Sequence, residues 1–340
     1  MEAADVRGRF VWHELMTRDV ASAKKFYSKL VGWKALPWPL DPSYTVCHAD
    51  TGPVAGIMQI PADLPAEFPA HWVNYIGTRD VDATADAAVR AGGSVIKQPS
   101  DMPGAGRYAV LQDPQGAAFA IIDPENARPE AAGRPSPGGF SWHELATSDH
   151  EAAFAFYSEL FGWNAMQRMD MGPTGIYLIF GQNGVQRGGM YIKPADMPAP
   201  PNWVPYACVP NADQGFALAR STGARELLPP MDVPGGSRVA MIIDPTGATF
   251  AIHSESAALT PAAVSTPQPK AASKPKPKAK VKTKAKTKTK AKAKAKGKSR
   301  TAKKPVARKK VVRKKAKPAA RKTVRKPARK KSKSSARRKK

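Results

Sequence analysis

Trp12-His13-Glu14-Leu15 stands near the start of the chain and returns as Trp142-His143-Glu144-Leu145, 130 residues later. The same offset relates Phe26-Tyr27-Ser28 to Phe156-Tyr157-Ser158, and Gly32-Trp33 to Gly162-Trp163. Further on, Pro61-Ala62-Asp63 returns as Pro194-Ala195-Asp196, and Asp113-Pro114-Gln115-Gly116-Ala117 as Asp244-Pro245-Thr246-Gly247-Ala248. A register that drifts by only a few residues is what small loop insertions leave behind after a duplication. Two homologous domains are therefore expected, at 8–124 and 138–254. A linker rich in Pro, Gly and Ala joins them at 125–137, and a tail follows at 255–340.

Inside one repeat the apolar period switches between two and 3.6. Phe10 to Met16 reads as a strand. Val20 to Val31 places Val20, Ala23, Phe26, Tyr27 and Leu30 at helical spacing, with Asp19 as N-cap and Gly32 as the stop. Tyr44–His48 and Val54–Ile60 read as strands. The pattern then restarts with a strand at Trp72–Gly77 and a helix at Val81–Ala91 that Gly92-Gly93 ends. Strands follow at Ser94–Lys97, Arg107–Gln112 and Ala117–Ile122, the last two joined by the Asp113-Pro114-Gln115-Gly116 turn.

Two βαβββ modules per domain, the Phe-Tyr of the first helix, the Gly-Trp after it and the Asp-Pro-x-Gly turn before the final strand resemble the vicinal-oxygen-chelate superfamily. This is the glyoxalase and bleomycin-resistance group, here in tandem, and the likeness covers about 250 of the 340 residues. The resemblance implies an α+β fold in which each domain is an open, curved sheet around a cleft. It also implies a divalent metal in that cleft, held by His or Gln on first strands and Glu on last strands of paired modules.

Counted back from the helix motif, the first-strand positions fall on Trp12 and Trp142, and in the second modules on Asn74 and Pro205. The last-strand Glu position falls on Ala120 and Ala251. Indole, methyl and pyrrolidine groups do not ligate metals. No metal site and no cofactor are expected. The repeated His-Glu is not a zincin pattern, because Thr17 and Thr147 stand where the second His would be.

Alternation along a strand puts Glu14 on the same face as Trp12, and His13 with Val11 and Leu15 under the helix. His13 and His143 then read as core histidines. Glu14 and Glu144 have two readings. One pairs them with Arg107 or Arg238 for structure; the other leaves them as acids in the cleft, beside Trp12, Met16, Met58 and Trp72. The cleft candidates are accordingly Trp12, Glu14, Trp72 and Arg107, with Trp142, Glu144, Trp203 and Arg238 in the second repeat. His253 shares a face with Ala251 and is a lone ligand candidate.

Charge divides the chain. From Ser265 to Lys340 there are 36 Lys and Arg and no Asp or Glu, whereas the rest is net −8. Every even position from Lys274 to Lys298 is Lys, and no aromatic residue or Leu follows Leu259. Such a segment cannot bury enough apolar surface to fold alone and is expected to be disordered. Its Lys/Ala/Pro composition resembles the C-terminal arm of linker histones. Counterion release from a polyphosphate would drive its binding without base readout. Lys274, Lys276, Lys278, Lys280, Lys309, Lys310, Lys314, Lys315, Arg337 and Arg338 represent that surface.

Two cysteines, no basic-apolar leader and no run of about 18 apolar residues point to a cytoplasmic or nucleoid-associated protein without membrane insertion. The expected partners are a hydrophobic or aromatic small molecule and nucleic acid. The alternatives are a metal-dependent lyase or dioxygenase of the same superfamily, and a nucleoid-associated scaffold.

Overall fold

The computed structural model describes residues 5–255 except 131, 132, 134 and 198. The tail lysines and arginines named above lie outside the described residues. The first half contains β1 (Phe10–Thr17), α1 (Val20–Leu30), β2 (Lys34–Trp38), β3 (Asp41–Ala49) and β4 (Gly52–Gln59). Its second module contains β5 (His71–Gly77), α2 (Val81–Arg90), β6 (Ser94–Met102), β7 (Gly106–Gln112) and β8 (Ala118–Pro124). The second half repeats the order with β9 (Phe140–Thr147), α3 (His150–Phe161), β10 (Asn164–Asp170), β11 (Ile176–Gln182) and β12 (Val185–Ile192). It closes with β13 (Asn202–Cys208), α4 (Ala212–Ser221), β14 (Arg225–Val233), β15 (Ser237–Ile243) and β16 (Thr249–Glu255).

Each half is one eight-stranded mixed sheet. The strand order is β2-β3-β4-β1-β5-β8-β7-β6, repeated as β10-β11-β12-β9-β13-β16-β15-β14. β1 runs parallel to β4 and antiparallel to β5, so the two modules meet at the centre of the sheet. The helices begin as their sequences require. The Asp19 carboxylate accepts from Ser22 N at 2.9 Å and Asp80 from Ala83 N at 2.8 Å, satisfying amides the first turn leaves open.

β2 and β10 have no counterpart among the strands expected from sequence. Pro37 and the mostly exposed side chains of Lys34–Trp38 hide it, because an edge strand need not alternate.

The two sheets pack through their helix-bearing faces. Phe26, Tyr27, Leu30 and Trp33 of the first half share a core with Phe216, Ala240, Phe250 and Ile252 of the second. Reciprocally, Ile76, Ala85, Leu111 and Phe119 join Phe156, Tyr157, Phe161 and Trp163. The repeated motifs are the rivets of this interface. Tyr27 Oη donates to Asp244 Oδ2 at 2.8 Å and accepts from Trp72 Nε1 at 3.0 Å. Tyr157 donates to Asp113 at 3.0 Å and accepts from Trp203 at 2.9 Å. Trp33 Nε1 donates to Gly138 O and Trp163 Nε1 to Gly8 O. Each half thus supplies the acceptors for the other half's Tyr27 or Tyr157 hydroxyl and Trp33 or Trp163 indole.

At the centre of this back face His13 Nε2 lies 2.7 Å from His143 Nε2, each ring stacked on a phenylalanine of the opposite half. These are core histidines, as their strand position implies. Val11 departs from its expected place. A β-bulge between Phe10 and Trp12 turns Phe10 onto the His143 ring and sends Val11 to the Trp12 side. Cys47 and Cys208 are both buried, and Cys208 Sγ lies 3.6 Å from His253 Nδ1.

Candidate functional site

The opposite, concave face of each sheet carries a carboxylate. In the first half Glu14 (β1) is 6% exposed, and both of its oxygens accept from tyrosines: Oε2 from Tyr44 (β3) at 2.8 Å and Oε1 from Tyr75 (β5) at 3.1 Å. Tyr44 Oη in turn accepts from Trp12 Nε1 at 3.0 Å. The second half repeats the network. Trp142 Nε1 donates to Tyr177 Oη at 3.0 Å, Tyr177 donates to Glu144 Oε2 at 2.8 Å, and Tyr206 bonds the same carboxylate.

A glycine opposite each carboxylate makes this arrangement fit. Gly56 (β4) pairs in register with Glu14, and a Cβ on it would lie 1.7 Å from Tyr44 Oη. Gly189 (β12) pairs with Glu144, and its Cβ would lie 2.1 Å from Tyr177 Oη. The space a fourth-strand side chain would take is used by the tyrosine hydroxyl.

Burial raises both carboxyl groups above the ordinary glutamate range, and the tyrosine hydrogen bonds oppose that shift without cancelling it. The tyrosines are pushed well above their usual range, by burial first and by the neighbouring carboxylate second. Each remains a hydrogen-bond donor at neutral pH. The rest of the first concave face is apolar and aromatic: Met16, Val73, Tyr108, Val110, Ala120 and Ile122. In the second it is built from Val204, Leu228, Val239, Met241 and Ala251.

Of the residues expected in the clefts, Trp12, Glu14, Trp142 and Glu144 are there. Four are not. Trp72 and Trp203 are 5% and 4% exposed in the shared core behind the sheet, bonded to Tyr27 and Tyr157. Arg107 and Arg238 lie on the helix side: Arg107 binds Asp82 of α2 and Asp101, and Arg238 binds Asp213 of α4 and Asp232. The alternative that paired Glu14 with Arg107 is thereby overturned; tyrosines take the arginine's place. The error was one of parity, since Trp72 is in register with Leu15 and Arg107 is beside the inward-facing Tyr108.

Sequence reasoning missed Tyr44, Tyr75, Tyr177 and Tyr206. Tyr75 and Tyr206 occupy matching places in the repeat, as do Tyr44 and Tyr177, and that coincidence was the available signal.

The donors present decide whether the cleft can hold the family's metal. Asn74 and Pro205 are in register with His13 and His143 and so belong to the back face; their cleft-side neighbours are Val73, Tyr75, Val204 and Tyr206. Tyr75 lies opposite Ala120, and Tyr206 opposite Ala251. Among the described residues the carboxylates beside these are Glu14 and Glu144, already bonded by tyrosines. His253 has both ring nitrogens engaged, by Ser141 Oγ and Ser237 Oγ at 2.9 Å each. Among the described residues no group of three His, Cys, Asp or Glu could hold an ion. The residues present do not fit the metal. Two open hollows of about 610 and 360 Å³ lie elsewhere, beside α1 and between Arg18, Pro69 and Thr246; neither includes a residue of the carboxylate networks.

Residues 9–121 and 139–252 each match the Glyoxalase/Bleomycin resistance protein/Dioxygenase superfamily. The chain belongs to that superfamily, with the domain present twice. It is 33% identical over 245 residues to the putative glyoxylase CFP32 of Mycobacterium tuberculosis, covering 71% of this chain and 92% of that protein. It is 31% identical over 258 residues to the anthracycline biosynthesis protein DnrV of Streptomyces peucetius, covering 72% and 92%. The fold is shared with the Mn(II)-bound glyoxalase from Novosphingobium aromaticivorans, with a TM-score of 0.52, 18% identity, and coverage of 74% and 83%. It is also shared with the 2,3-dioxygenase LapB from Pseudomonas sp. KL28, with a TM-score of 0.53, 10% identity, and coverage of 74% and 94%.

Proposed function

We propose that this chain binds a hydrophobic or aromatic small molecule in each concave cleft without the superfamily's metal, and binds nucleic acid through its basic tail. The observation that carries the first part is that Glu14 and Glu144 each accept from two tyrosine hydroxyls at the centre of faces built largely of apolar and aromatic side chains. A hydrogen-bonded carboxyl in such a face orients a ligand by one or two polar contacts, while the indole and phenol rings supply area and stacking. The relative named for anthracycline biosynthesis supports an aromatic ligand class. A metal-dependent lyase or dioxygenase would need donors that Val73, Gly56, Ala120 and their repeats do not supply.

Calorimetric titration of planar aromatic compounds in the presence of a chelator tests this reading. Binding that survives chelation and weakens in Glu14→Gln or Glu144→Gln supports it. Binding that chelation abolishes and Mn²⁺ or Fe²⁺ restores overturns it.

The tail's 36 positive charges, without aromatic residues for stacking, suit binding to phosphates irrespective of sequence. If ten of them engage at once, log affinity should fall against log salt with a slope of about −9. A chain ending at Ala258 should lose DNA binding. Retained binding at physiological salt, or strong discrimination between unrelated duplexes, contradicts the proposal.

A further inference from the structure

The two clefts share their floor but differ at one wall. Lys97 (β6) is in register with Val110, and its counterpart Leu228 (β14) with Met241, so the two side chains occupy the same place in their halves. Lys97 Nζ sits 5.0 Å from the centroid of the Tyr108 ring. The residue matching Tyr108 is Val239, in register with His253 as Tyr108 is with Ile122. One half therefore has an ammonium over an aromatic ring where the other has Leu over Val.

None of the ion pairs among the described residues involves Lys97, although Arg107 nearby is bonded by two aspartates. Its position over Tyr108 and beside Val110, both on the concave face, puts the amine over the same cleft as Glu14. The mouths differ as well. At Gly104, in the β6–β7 turn, a Cβ would lie 2.4 Å from Leu40 Cδ1 and 3.5 Å from the Trp38 indole, so the β2–β3 tip touches the β6–β7 tip across the first cleft. Around Gly172 and Gly175 of the β10–β11 connection, a Cβ would meet nothing within 4 Å among the described residues.

We propose that the first cleft selects a flat aromatic molecule carrying an anionic group, a carboxylate, which pairs with Lys97 at the roofed mouth, and that the second cleft takes only neutral aromatic molecules. The inference rests on reading the concave faces as ligand clefts. The ring lies on Trp12, Tyr75 and Tyr108, and the carboxylate reaches the ammonium that Tyr108 holds in position. Glu14 does not repel it strongly, because its charge is met by two hydroxyls. A partly desolvated charge-assisted contact is stronger than the same contact in open water.

The test is calorimetric titration of the full chain with 2-naphthoate and with its neutral amide, 2-naphthamide, in wild type, Lys97→Leu, Lys97→Arg and Leu228→Lys. The tail is the same in all four proteins, so differences among them report the clefts. We expect 2-naphthoate to bind once per chain, to weaken at least fivefold in Lys97→Leu, and to recover in Lys97→Arg. Leu228→Lys should add a second naphthoate site, and 2-naphthamide should bind wild type and Lys97→Leu alike. Unchanged naphthoate affinity in Lys97→Leu, with naphthamide still bound, overturns the role of Lys97 while leaving the clefts as ligand sites. Failure of both probes in every protein overturns the cleft reading and this inference with it.

Discussion

On the back faces of the two sheets one set of polar and aromatic side chains bonds the halves together twice over, whereas on the concave faces what repeats is the centre of each face. Behind the sheets Tyr27 and Tyr157, Asp244 and Asp113, Trp72 and Trp203, Trp33 and Trp163, and His13 and His143 make the same bonds twice. In front, Trp–Glu–Tyr–Tyr, the facing glycine and the flanking Val73/Val204 and Ala120/Ala251 repeat. Around them Met58 answers to Tyr191, Tyr108 to Val239, Lys97 to Leu228 and Ile122 to His253. The difference follows from contact. A back-face residue bonds to the other half, so a change on one side strands its partner on the other, and a stranded buried polar group costs about 1–3 kcal/mol. The concave-face residues of the two halves form separate clusters, so each cleft could change alone.

The largest effect is expected on the back face, from acid. Burial depresses His13 to about 3, and His143 well below its ordinary value for the same reason, with the other imidazole and the Arg187 charge adding to the shift. Arg187 is itself paired with Glu130. An unfolded histidine takes its proton near 6.5, so the folded state falls behind as pH drops below that value. The contribution of His13 is present above about pH 6.5 and is lost progressively towards pH 3, a change of roughly 5 kcal/mol. Urea unfolding between pH 7.5 and 4 should show a falling midpoint, and the paired change His13→Leu with His143→Leu should flatten it. A wild-type midpoint independent of pH between 6.5 and 5 would show that the two rings are not buried together.

Next in size is the glycine that admits the tyrosine. Gly56→Ala sets a methyl 1.7 Å from Tyr44 Oη, and Gly189→Ala sets one 2.1 Å from Tyr177 Oη. Either the strand shifts or the tyrosine leaves its carboxylate. Overpacking of this kind costs about 2–3 kcal/mol. Denaturation midpoints for both variants should fall, and each should weaken ligand binding in its own cleft only. Variants as stable as wild type would mean that the hydroxyls stand elsewhere.

The smallest effect separates the carboxyl groups from the framework. Folding raises the affinity of Glu14 and Glu144 for a proton, so their ionisation opposes folding as pH rises through and above the unfolded value near 4.5. Glu14→Gln and Glu144→Gln should therefore raise the melting temperature slightly at pH 8, with the gain vanishing below about pH 4.5, while weakening ligand binding. A lower melting temperature at pH 8 would instead make these residues structural.

The duplication, the first helix with its Asp19 cap, the second helix and the central strands were legible because each rests on local chemistry: a repeat at nearly constant spacing, a capping side chain, a period of 3.6 or two. What escaped needed the third dimension. Trp72 and Arg107 were assigned to the cleft although their parity sends them behind the sheet, and Val11 moved because one bulged residue changes the parity of everything before it. Tyr44 and Tyr75 lie 30 and 61 residues from Glu14, and no local pattern ties a donor to an acceptor at such separations. The histidines were placed in the core correctly, but that they would meet each other across the two halves was not readable from either repeat alone.

The central claim is that the clefts work through Glu, Tyr and Trp and not through the superfamily's metal. Elemental analysis of the full-length protein, purified without chelator and then dialysed against excess Mn²⁺, Fe²⁺, Ni²⁺ or Zn²⁺ with a high-salt wash, tests it most directly. The donor set at Trp12, Gly56, Val73 and Ala120 and at their repeats predicts far less than one metal ion per chain after every loading. One or two ions retained per chain, lost together in Glu14→Gln and Glu144→Gln, would contradict it.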